Sequence, residues 1–214
     1  MRCSVCTLYD ETLRLCHCGV KSFFPRRDFV LTEIGRGAMT SPLVLSQVEK
    51  LAAHHQVRQF KCGKNPLDLF IRRFAFPNQR ADSSQTYVVH QDNVVVAYYS
   101  LVFGSVSLEE SPESIRKTMP PNYPIPVMVF ARFAVDKKMQ GRGIGIALLK
   151  DALLRTTAAS EIGGLAAVLV DAIDDTMVDF YLNFGFQKCP AEGRRLMIAI
   201  KDVRAHLSGE VSPG

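Results

Sequence analysis

The chain has 214 residues, and 47% of them are hydrophobic, which is enough for one compact domain with a substantial core. The formal net charge of +5 permits a polyanionic partner without requiring one. No run approaches the ~18 to 20 consecutive apolar residues of a membrane span, and the first residues, MRCSVCTLYDETLRLCHCG, lack the apolar core of a signal peptide. The composition therefore predicts a cytoplasmic protein without a membrane partner.

Residues 1–38 carry four of the six cysteines, in the patterns C-x-x-C and C-H-C. Cysteine pairs can close a zinc knuckle, with His17 as a further ligand, but the nine residues between these pairs are short for a zinc ribbon. We therefore interpret this segment as a leader outside the domain and predict no metal. The domain would span residues 39–206, followed by a flexible tail of residues 207–214. The alternative is a zinc site on Cys3, Cys6, Cys16 and Cys18.

Apolar periodicity predicts two helices near the start of the domain. The segment SPLVLSQVEKLAAHH, residues 41–55, begins with a serine cap and a proline, and apolar residues follow at helical spacing. The segment NPLDLFIRRFAFPNQR repeats the pattern, with Asn65 as the cap and a stop near Pro77. It places Arg72 and Arg73 on a helix that is otherwise largely apolar.

The rest of the domain mixes strands and helices. QTYVVHQDNVVVAYYSLVFGSVSL predicts a hairpin around residues 91–93, and the proline-rich SPESIRKTMPPNYPIP predicts an irregular connection with room for a short helix. A strand from Val127 leads to a glycine turn and a helix from about Gly143 to Thr157. A buried strand AAVLVDA, a helix DTMVDFYLNFG and a last strand RRLMIAI follow. This order predicts an α/β fold with a mixed sheet.

The glycine turn has the sequence QGRGIG, residues 140–145. A glycine-rich turn between a strand and a helix presents backbone N–H groups to an anion at the positive end of the helix dipole. A Rossmann loop would need glycine where the chain has Ile146, and no Gly-Lys-Ser/Thr supplies a Walker A loop. The pattern Gln-x-x-Gly-x-Gly, met by Gln140, Gly143 and Gly145, instead fits a pyrophosphate loop.

This loop and its context resemble the GNAT superfamily of N-acetyltransferases, over about residues 57–202. The resemblance implies the GNAT acyl-CoA N-acyltransferase fold, with acetyl-CoA as cosubstrate and its pyrophosphate on Gln140, Gly141, Arg142, Gly143, Ile144 and Gly145. VMVFARFAVD resembles the fourth strand of that fold, in which a β-bulge splays the central sheet and frees main-chain groups for the pantetheine arm. The arm and the thioester would then contact Phe133, Ala134 and Val135.

A second motif carries the resemblance further along the chain. The superfamily signature Phe-Tyr-x-x-x-Gly-Phe is matched by Phe180, Tyr181, Gly185 and Phe186. Acetyl transfer to an amine requires a neutral amine, a donor for the developing oxyanion and a proton for the departing thiolate. A phenol with a pKa near ~10 stays protonated at neutral pH, so Tyr181 is the predicted general acid. The predicted oxyanion donor is a backbone N–H near Phe133 or Ala134.

The sequence assigns no general base. The candidate histidines are expected at the surface; they are His54, His55, His90 and His206. The carboxylates around the fifth strand are expected to act as helix caps; they are Asp171, Asp174 and Asp175. An α-amine titrates near ~7.7 to 8.0, against ~10.4 for lysine, so an α-amine acceptor would remove the need for a base.

Longer stretches narrow the resemblance to the GNAT toxins of bacterial toxin–antitoxin modules, which acetylate the α-amine of aminoacyl-tRNA and arrest translation. These stretches include FKCGKNPLDLFIRRFAFPNQRADSSQTYVV and PVMVFARFAVDKKMQGRGIGIALLKDALLR. The resemblance implies aminoacyl-tRNA as acceptor, a ribbon-helix-helix antitoxin as partner and a homodimer. Arg72, Arg73 and Lys61 would contact tRNA phosphates, and Gly193-Arg194-Arg195 is a further candidate contact.

Two other functions stay open at this point. The chain could acetylate protein N-termini or a small amine, which would need an acidic acceptor pocket and no tRNA-sized basic surface. It could also be a nucleic-acid-binding regulator whose N-terminal segment binds zinc and whose GNAT fold merely binds CoA.

Overall fold

The computed structural model describes residues 44–190 and 193–208. The predicted leader, its alternative zinc site and the start of the domain lie outside these residues. In chain order, the elements are β1 (Glu49–Lys50), α1 (Asn65–Leu69), a π-helical turn (Phe70–Phe74), α2 (Ala75–Arg80), β2 (Gln85–Gln91), β3 (Val94–Val106), α3 (Glu113–Arg116), β4 (Ile125–Val135), a 3-10 turn (Lys137–Met139), α4 (Ile144–Ile162), β5 (Ala167–Asp171), α5 (Asp175–Leu182), β6 (Gln187–Lys188), β7 (Arg195–Ala199) and α6 (Ile200–Ser208).

The strands form one sheet of seven in the order β1-β2-β3-β4-β5-β7-β6, which confirms the predicted mixed α/β fold. Neighbouring strands are antiparallel except β4 and β5, which α4 connects as a crossover. Helices α4, α5 and α6 pack on one face of the sheet, whereas α1, the π-helical turn and α2 pack on the other. Each face of the sheet therefore buries its own apolar core.

A β-bulge divides β4 into two halves. The register between β3 and β4 shifts by one residue at Ala131, which has no partner on β3. The parallel pairing with β5 ends at the same point, with Phe130 opposite Val170. Residues 132–135 pair with β3 alone, so the edge of β4 that would face β5 is open there. This geometry confirms the splayed, bulged central sheet that the resemblance implied.

The helical segment before β2 is longer and less regular than the sequence predicts. Lys64, rather than Asn65, precedes the first helical turn, and the segment continues past Pro77 to Arg80. The π-helical turn over Phe70–Phe74 separates α1 from α2. Pro77 therefore falls in the first turn of α2, where the missing N–H of proline is tolerated.

The helix predicted over residues 41–55 is wrong in the described part of that range. No helix forms there: β1 pairs with β2 at the edge of the sheet, and residues 52–55 form a turn. The hydroxyl of Ser46 accepts the N–H of His90 at 2.9 Å, and the N–H of Leu51 donates to the carbonyl of Thr86 at 2.8 Å. These bonds to β2 replace the helical hydrogen bonds that the apolar periodicity suggested.

His55 is buried, whereas the sequence predicts a surface histidine. Its Nδ1 accepts the N–H of Ala52 at 2.9 Å, so its Nε2 carries the proton and donates to Glu49 at 2.7 Å. The Nε2 of His90 lies 3.0 Å from the same carboxylate oxygen. Burial lowers the pKa of His55, because desolvation penalises the charged ring.

The final helix, α6, is absent from the sequence-based prediction. It follows β7 directly and packs Ile200 and Val203 into the core shared with α4. It extends two residues into the predicted tail, whose remaining residues, 209–214, lie outside the described part of the chain. Within the described ranges, no helix combines the length and the apolar character needed to cross a membrane.

The buried neutral ring of His55 should make the fold sensitive to acid. Because its pKa is lowered in the folded chain, the unfolded chain binds the proton more readily. The stabilisation should be complete above about pH 6.5, the ordinary histidine pKa, and should be lost as the pH falls below it. Denaturant unfolding at about pH 7.5 and about pH 5.5 should show this loss in the wild type and a smaller loss in His55→Gln.

His54→Gln is the matched control, because it removes the exposed neighbouring histidine. This variant should keep most of the acid sensitivity of the wild type. An equal loss of stability in His55→Gln and the wild type would contradict the role assigned to the buried ring.

Candidate active site

A pocket opens where β4 and β5 separate, with a volume of about 260 Å³. The open edge of β4 forms one wall, the end of β5 and α5 form another, and the start of α1 reaches the mouth. The lining includes Leu67, Ala131, Arg132, Phe133, Ala172 and Tyr181. Such a predominantly apolar wall disfavours an ammonium ion and favours the neutral amine that can attack a thioester.

Tyr181 lies in the wall of this pocket, and only 1% of its surface is exposed. Its ring packs against those of Phe133, Phe180 and Phe186, with centroids 6.3, 5.3 and 5.2 Å away. Burial raises the pKa of the phenol well above its ordinary value, so the hydroxyl keeps its proton at neutral pH. This is the protonation state that a general acid requires.

The helix that carries Tyr181 is fixed at both ends. Asp174 caps its start, with Oδ1 accepting the N–H of Met177 at 3.0 Å. After its end, Gly185 adopts a φ of +80°, which glycine accepts readily. A Cβ at Gly185 would lie only 3.1 Å from the ring of His206 on α6, so this position also requires a small residue. These constraints fix α5 in a position where the ring of Tyr181 contacts Phe133 on β4.

The glycine turn is anchored to the protein on one side and open on the other. Gly141 and Gly143 have φ values of +74° and +80°, and Gly143 immediately precedes α4. The Nε2 of Gln140 donates to the carbonyls of Val135 and Cys62 at 2.9 and 3.1 Å. Gln140 therefore holds the turn in place with its side chain. A Cβ at Gly141 would meet nothing within 4 Å, and the first N–H groups of α4 have no partner within the helix.

The glycine turn adjoins the bulged strand. Ile144 is buried, so it can offer a ligand only its main chain. A Cβ at Gly145 would lie 3.9 Å from the ring of Phe133 and 4.0 Å from the side chain of Val135. Phe133 also packs against Tyr181. The glycine turn, the bulged strand and the phenol ring therefore adjoin one another through Phe133.

The three predicted contact residues on β4 alternate between the faces of the sheet. Phe133 and Val135 pack on the face covered by α4, whereas Ala134 is buried on the face covered by α1. All three belong to the part of β4 that has no partner on the β5 side. Apart from the carbonyl of Val135, which accepts the bond from Gln140, their main-chain groups on that edge are available to an extended ligand.

The acidic residues around the end of β5 are engaged in ion pairs. Closest N···O distances of 2.8 or 2.9 Å join Asp171 to Arg195, Asp175 to Arg194 and Asp174 to Lys64. Hydrogen bonds from Lys64 and Arg194 lower the pKa values of Asp174 and Asp175, so neither readily accepts a proton at neutral pH. The predicted capping role is confirmed for Asp174. Arg194 and Arg195, which the sequence predicts as a candidate RNA contact, are paired with these carboxylates.

The basic residues predicted to contact tRNA differ in their availability. Lys61 and Arg73 are exposed. Arg72 donates from Nη2 to the carbonyl of Phe60, so it links the π-helical turn to the loop before α1. Arg142 is exposed on the glycine turn, where it can reach an anion held by that turn.

Arg132 is a site residue that the sequence analysis missed. It lies on β4 directly after the bulge and lines the pocket. The available signal was a single charged residue inside the apolar run VMVFARFAV, at a position next to the predicted contact Phe133.

Comparisons with known proteins agree with this geometry. The family described as acetyltransferase (GNAT) domain matches residues 82–188, which include the bulged strand, the glycine turn and Tyr181. A tRNA-acetylating toxin of Mycobacterium tuberculosis (strain ATCC 25618 / H37Rv) is 38% identical over 160 residues, covering 75% of this chain and 95% of the relative.

Two solved structures show the same fold. AtaT complexed with acetyl-methionyl-tRNAfMet matches with a TM-score of 0.71 and 24% identity, covering 77% of this chain and 99% of that chain. A mutant AtaT toxin bound to the C-terminus of the antitoxin AtaR and acetyl-CoA matches with a TM-score of 0.66 and 22% identity, covering 77% of this chain and 98% of that chain.

The chain therefore belongs to the GNAT family of acetyltransferases, as its loop and strand motifs predicted. It is an acetyl-CoA-dependent N-acetyltransferase, and the domain described above corresponds to almost the whole length of its mycobacterial relative.

Replacing Gly143 tests the glycine turn. A β-branched side chain is strained at a φ of +80°, and the turn can then no longer direct its N–H groups at a pyrophosphate. We expect Gly143→Val to weaken acetyl-CoA binding by roughly 10-fold or more in calorimetry. Gly143→Asn, which tolerates a positive φ, separates the effect of added bulk from that of backbone strain.

Gly163→Val is the control at the other end of α4. Its φ is −139°, and a Cβ there meets nothing within 4 Å, so this variant should keep full affinity. Undiminished affinity in a folded Gly143→Val protein would refute the pyrophosphate assignment.

Tyr181→Phe tests the general acid. The phenylalanine ring can keep the aromatic packing, so the fold and the affinity for acetyl-CoA should be retained. Turnover should fall by roughly 10² to 10⁴ if the hydroxyl donates a proton. Tyr123→Phe makes the same change at a side chain that is 70% exposed and should leave turnover unchanged. Near-normal turnover in Tyr181→Phe would show that Tyr181 contributes packing and not a proton.

Proposed function

We propose that the protein is a toxin that transfers the acetyl group of acetyl-CoA to the α-amine of aminoacyl-tRNA and so blocks translation. The observation that carries the proposal is the position of Tyr181, which is buried in the pocket wall beside the open edge of β4. The identity of 38% to a tRNA-acetylating toxin, over nearly the whole of that relative, supports the same acceptor.

The proposed cofactor site combines the glycine turn and the strand edge. Main-chain N–H groups of residues 141–145 would bind the pyrophosphate, and Arg142 would pair with a CoA phosphate. The free edge of residues 133–135 would bind the pantetheine arm as a further strand. The arm would then deliver the thioester into the pocket beside Tyr181.

The proposed reaction uses few side chains. The amine nitrogen forms a bond to the thioester carbon, and the carbon–sulfur bond then breaks. A main-chain N–H near Phe133 or Ala134 would stabilise the oxyanion formed between these two events. Tyr181 gives its proton to the departing thiolate, and the proton that the amine loses restores the phenol through solvent. The products are the N-acetylated amine and free CoA.

The ionisable groups of the pocket favour an acceptor of low pKa. The carboxylate in the lining is Asp171, which is already paired with Arg195 at 2.9 Å. An α-amine, with a pKa near ~7.7 to 8.0, is partly neutral at physiological pH, whereas a lysine near ~10.4 would need a base. Within the described residues, the pocket lining offers no unpaired carboxylate or histidine for that role.

We also propose neutralisation by a ribbon-helix-helix antitoxin and a homodimeric state. The resemblance to the GNAT toxins supports both. The similarly folded AtaT toxin bound to the C-terminus of its antitoxin adds support for an antitoxin partner.

The acceptor is tested with labelled acetyl-CoA and a pool of tRNA in charged and deacylated forms. Label should appear as an N-acetyl-aminoacyl ester on charged tRNA and should be released by mild base. An aminoacyl ester lacks the carboxylate that keeps the amine of a free amino acid protonated, so charged tRNA should react faster than free amino acids.

Arg73→Ala should weaken the reaction with tRNA and reduce its salt dependence, because Arg73 is exposed and free of the bond that engages Arg72. Label on ribosomal proteins or polyamines, with none on charged tRNA, would contradict the proposed acceptor. That result would favour the alternative of protein N-termini or a small amine.

A further inference from the structure

Arg132 places a positive charge in the wall of the acetyl-transfer pocket. Its guanidinium carbon lies 5.1 Å from the ring centroid of Phe70, and its Nη1 donates to the carbonyl of Ala131 at 2.5 Å. Across residues 44–190 and 193–208, no carboxylate lies within ion-pair distance of it. The other charged lining residue, Asp171, is balanced by Arg195. The pocket therefore presents an unbalanced cation to whatever enters it.

Two backbone irregularities meet at this contact. Arg132 follows the bulge at Ala131, and Phe70 opens the π-helical turn of residues 70–74. Both kinds of irregularity occur preferentially next to functional sites, where they redirect a side chain. Here the ring of Phe70 supports one side of the exposed guanidinium, which restricts its motion and leaves its remaining N–H groups available.

The face of the sheet identifies which ligand the guanidinium serves. Arg132 contacts Phe70 and shares the face of Ala134, which packs beneath α1. The glycine turn lies on the opposite face, where Gly145 adjoins Phe133. A phosphate bound at Arg132 would therefore lie on the α1 side of the sheet, away from the start of α4. This separation argues for an acceptor phosphate rather than a phosphate of CoA.

We propose that Arg132 binds the phosphodiester of the terminal nucleotide of the acceptor RNA and thereby positions the aminoacyl group. This inference rests on the proposed function. In an aminoacyl-tRNA the amino acid is esterified to the terminal ribose, so the phosphate on that ribose is the fixed anion nearest to the reacting amine. A guanidinium can bind two phosphate oxygens at once, which fixes orientation as well as distance. Arg132 thus selects an acceptor that carries a phosphate over a free amino acid or a simple ester.

The test compares two acceptors that share one amino acid. One is the charged tRNA, and the other is the ethyl ester of the same amino acid, which has the ester-linked α-amine but no phosphate. Arg132→Gln should lower kcat/KM for charged tRNA by roughly 10- to 100-fold more than it lowers kcat/KM for the ethyl ester. KM for acetyl-CoA should be unchanged. Arg132→Lys, which keeps the charge but not the planar fork, should recover only part of the activity with tRNA.

Salt dependence gives a second readout that needs only the tRNA substrate. The slope of log kcat/KM for charged tRNA against log salt should be smaller by about 1 in Arg132→Gln than in the wild type. Arg116→Gln is the control, because it removes an arginine on α3, which does not line the pocket. This control should retain the rate with charged tRNA to within about 2-fold.

Three results would overturn the inference. An equal loss of kcat/KM with tRNA and with the ethyl ester would show a structural or chemical role for Arg132, and a raised KM for acetyl-CoA would place the bound phosphate on the cofactor. An unchanged rate and salt slope with charged tRNA would show that no phosphate is bound. Wild-type protein that acetylates no charged tRNA would instead contradict the proposed function, on which this role of Arg132 depends.

Discussion

The extra residue at Ala131 decides where the rest of the site can lie. A regular β4 would continue to pair with β5 beyond Phe130, and β5 would then satisfy the main-chain hydrogen-bonding groups along that edge. The bulge turns the strand away and leaves residues 132–135 bonded to β3 alone. Main-chain groups without partners cost free energy unless solvent or a ligand satisfies them. The pantetheine arm of acetyl-CoA, which contains amides, can bind to that edge as a strand would.

A partly buried polar network fixes α4 against the same strand. The hydroxyl of Tyr99, which faces Phe133 in the register of β3 and β4, donates to Asp151 on α4. Arg155, one turn further along, donates to that carboxylate at 2.8 Å and to the carbonyl of Val48 at 3.2 Å. The helix, the central strands and the segment before β1 are thus tied together. The glycine turn is therefore placed relative to the open edge by contacts two turns into α4 as well as by its own anchor.

Sequence signals predicted the features that depend on local conformation. The turn at Gly143 requires a positive φ, and the signature around Tyr181 identifies one helix and the strand before it. Features that depend on distant partners were not predictable in this way. The range 41–55 has helical periodicity, but the chain from residue 44 is held to a sheet edge, and His55 is buried by residues that pair only in the folded chain. The guanidinium of Arg132 is supported by the ring of Phe70, which lies 62 positions earlier in the sequence, so no local pattern could reveal this contact.

The central claim is that the edge of β4 left open by the bulge is the platform for acetyl-CoA. Amide hydrogen exchange, followed residue by residue with and without acetyl-CoA, tests this claim most directly. The amides of residues 131–135 that have no partner on β3 should exchange quickly in the free protein and roughly 10-fold or more slowly in the complex. Binding that protects the glycine turn but leaves exchange at residues 131–135 unchanged would contradict the account.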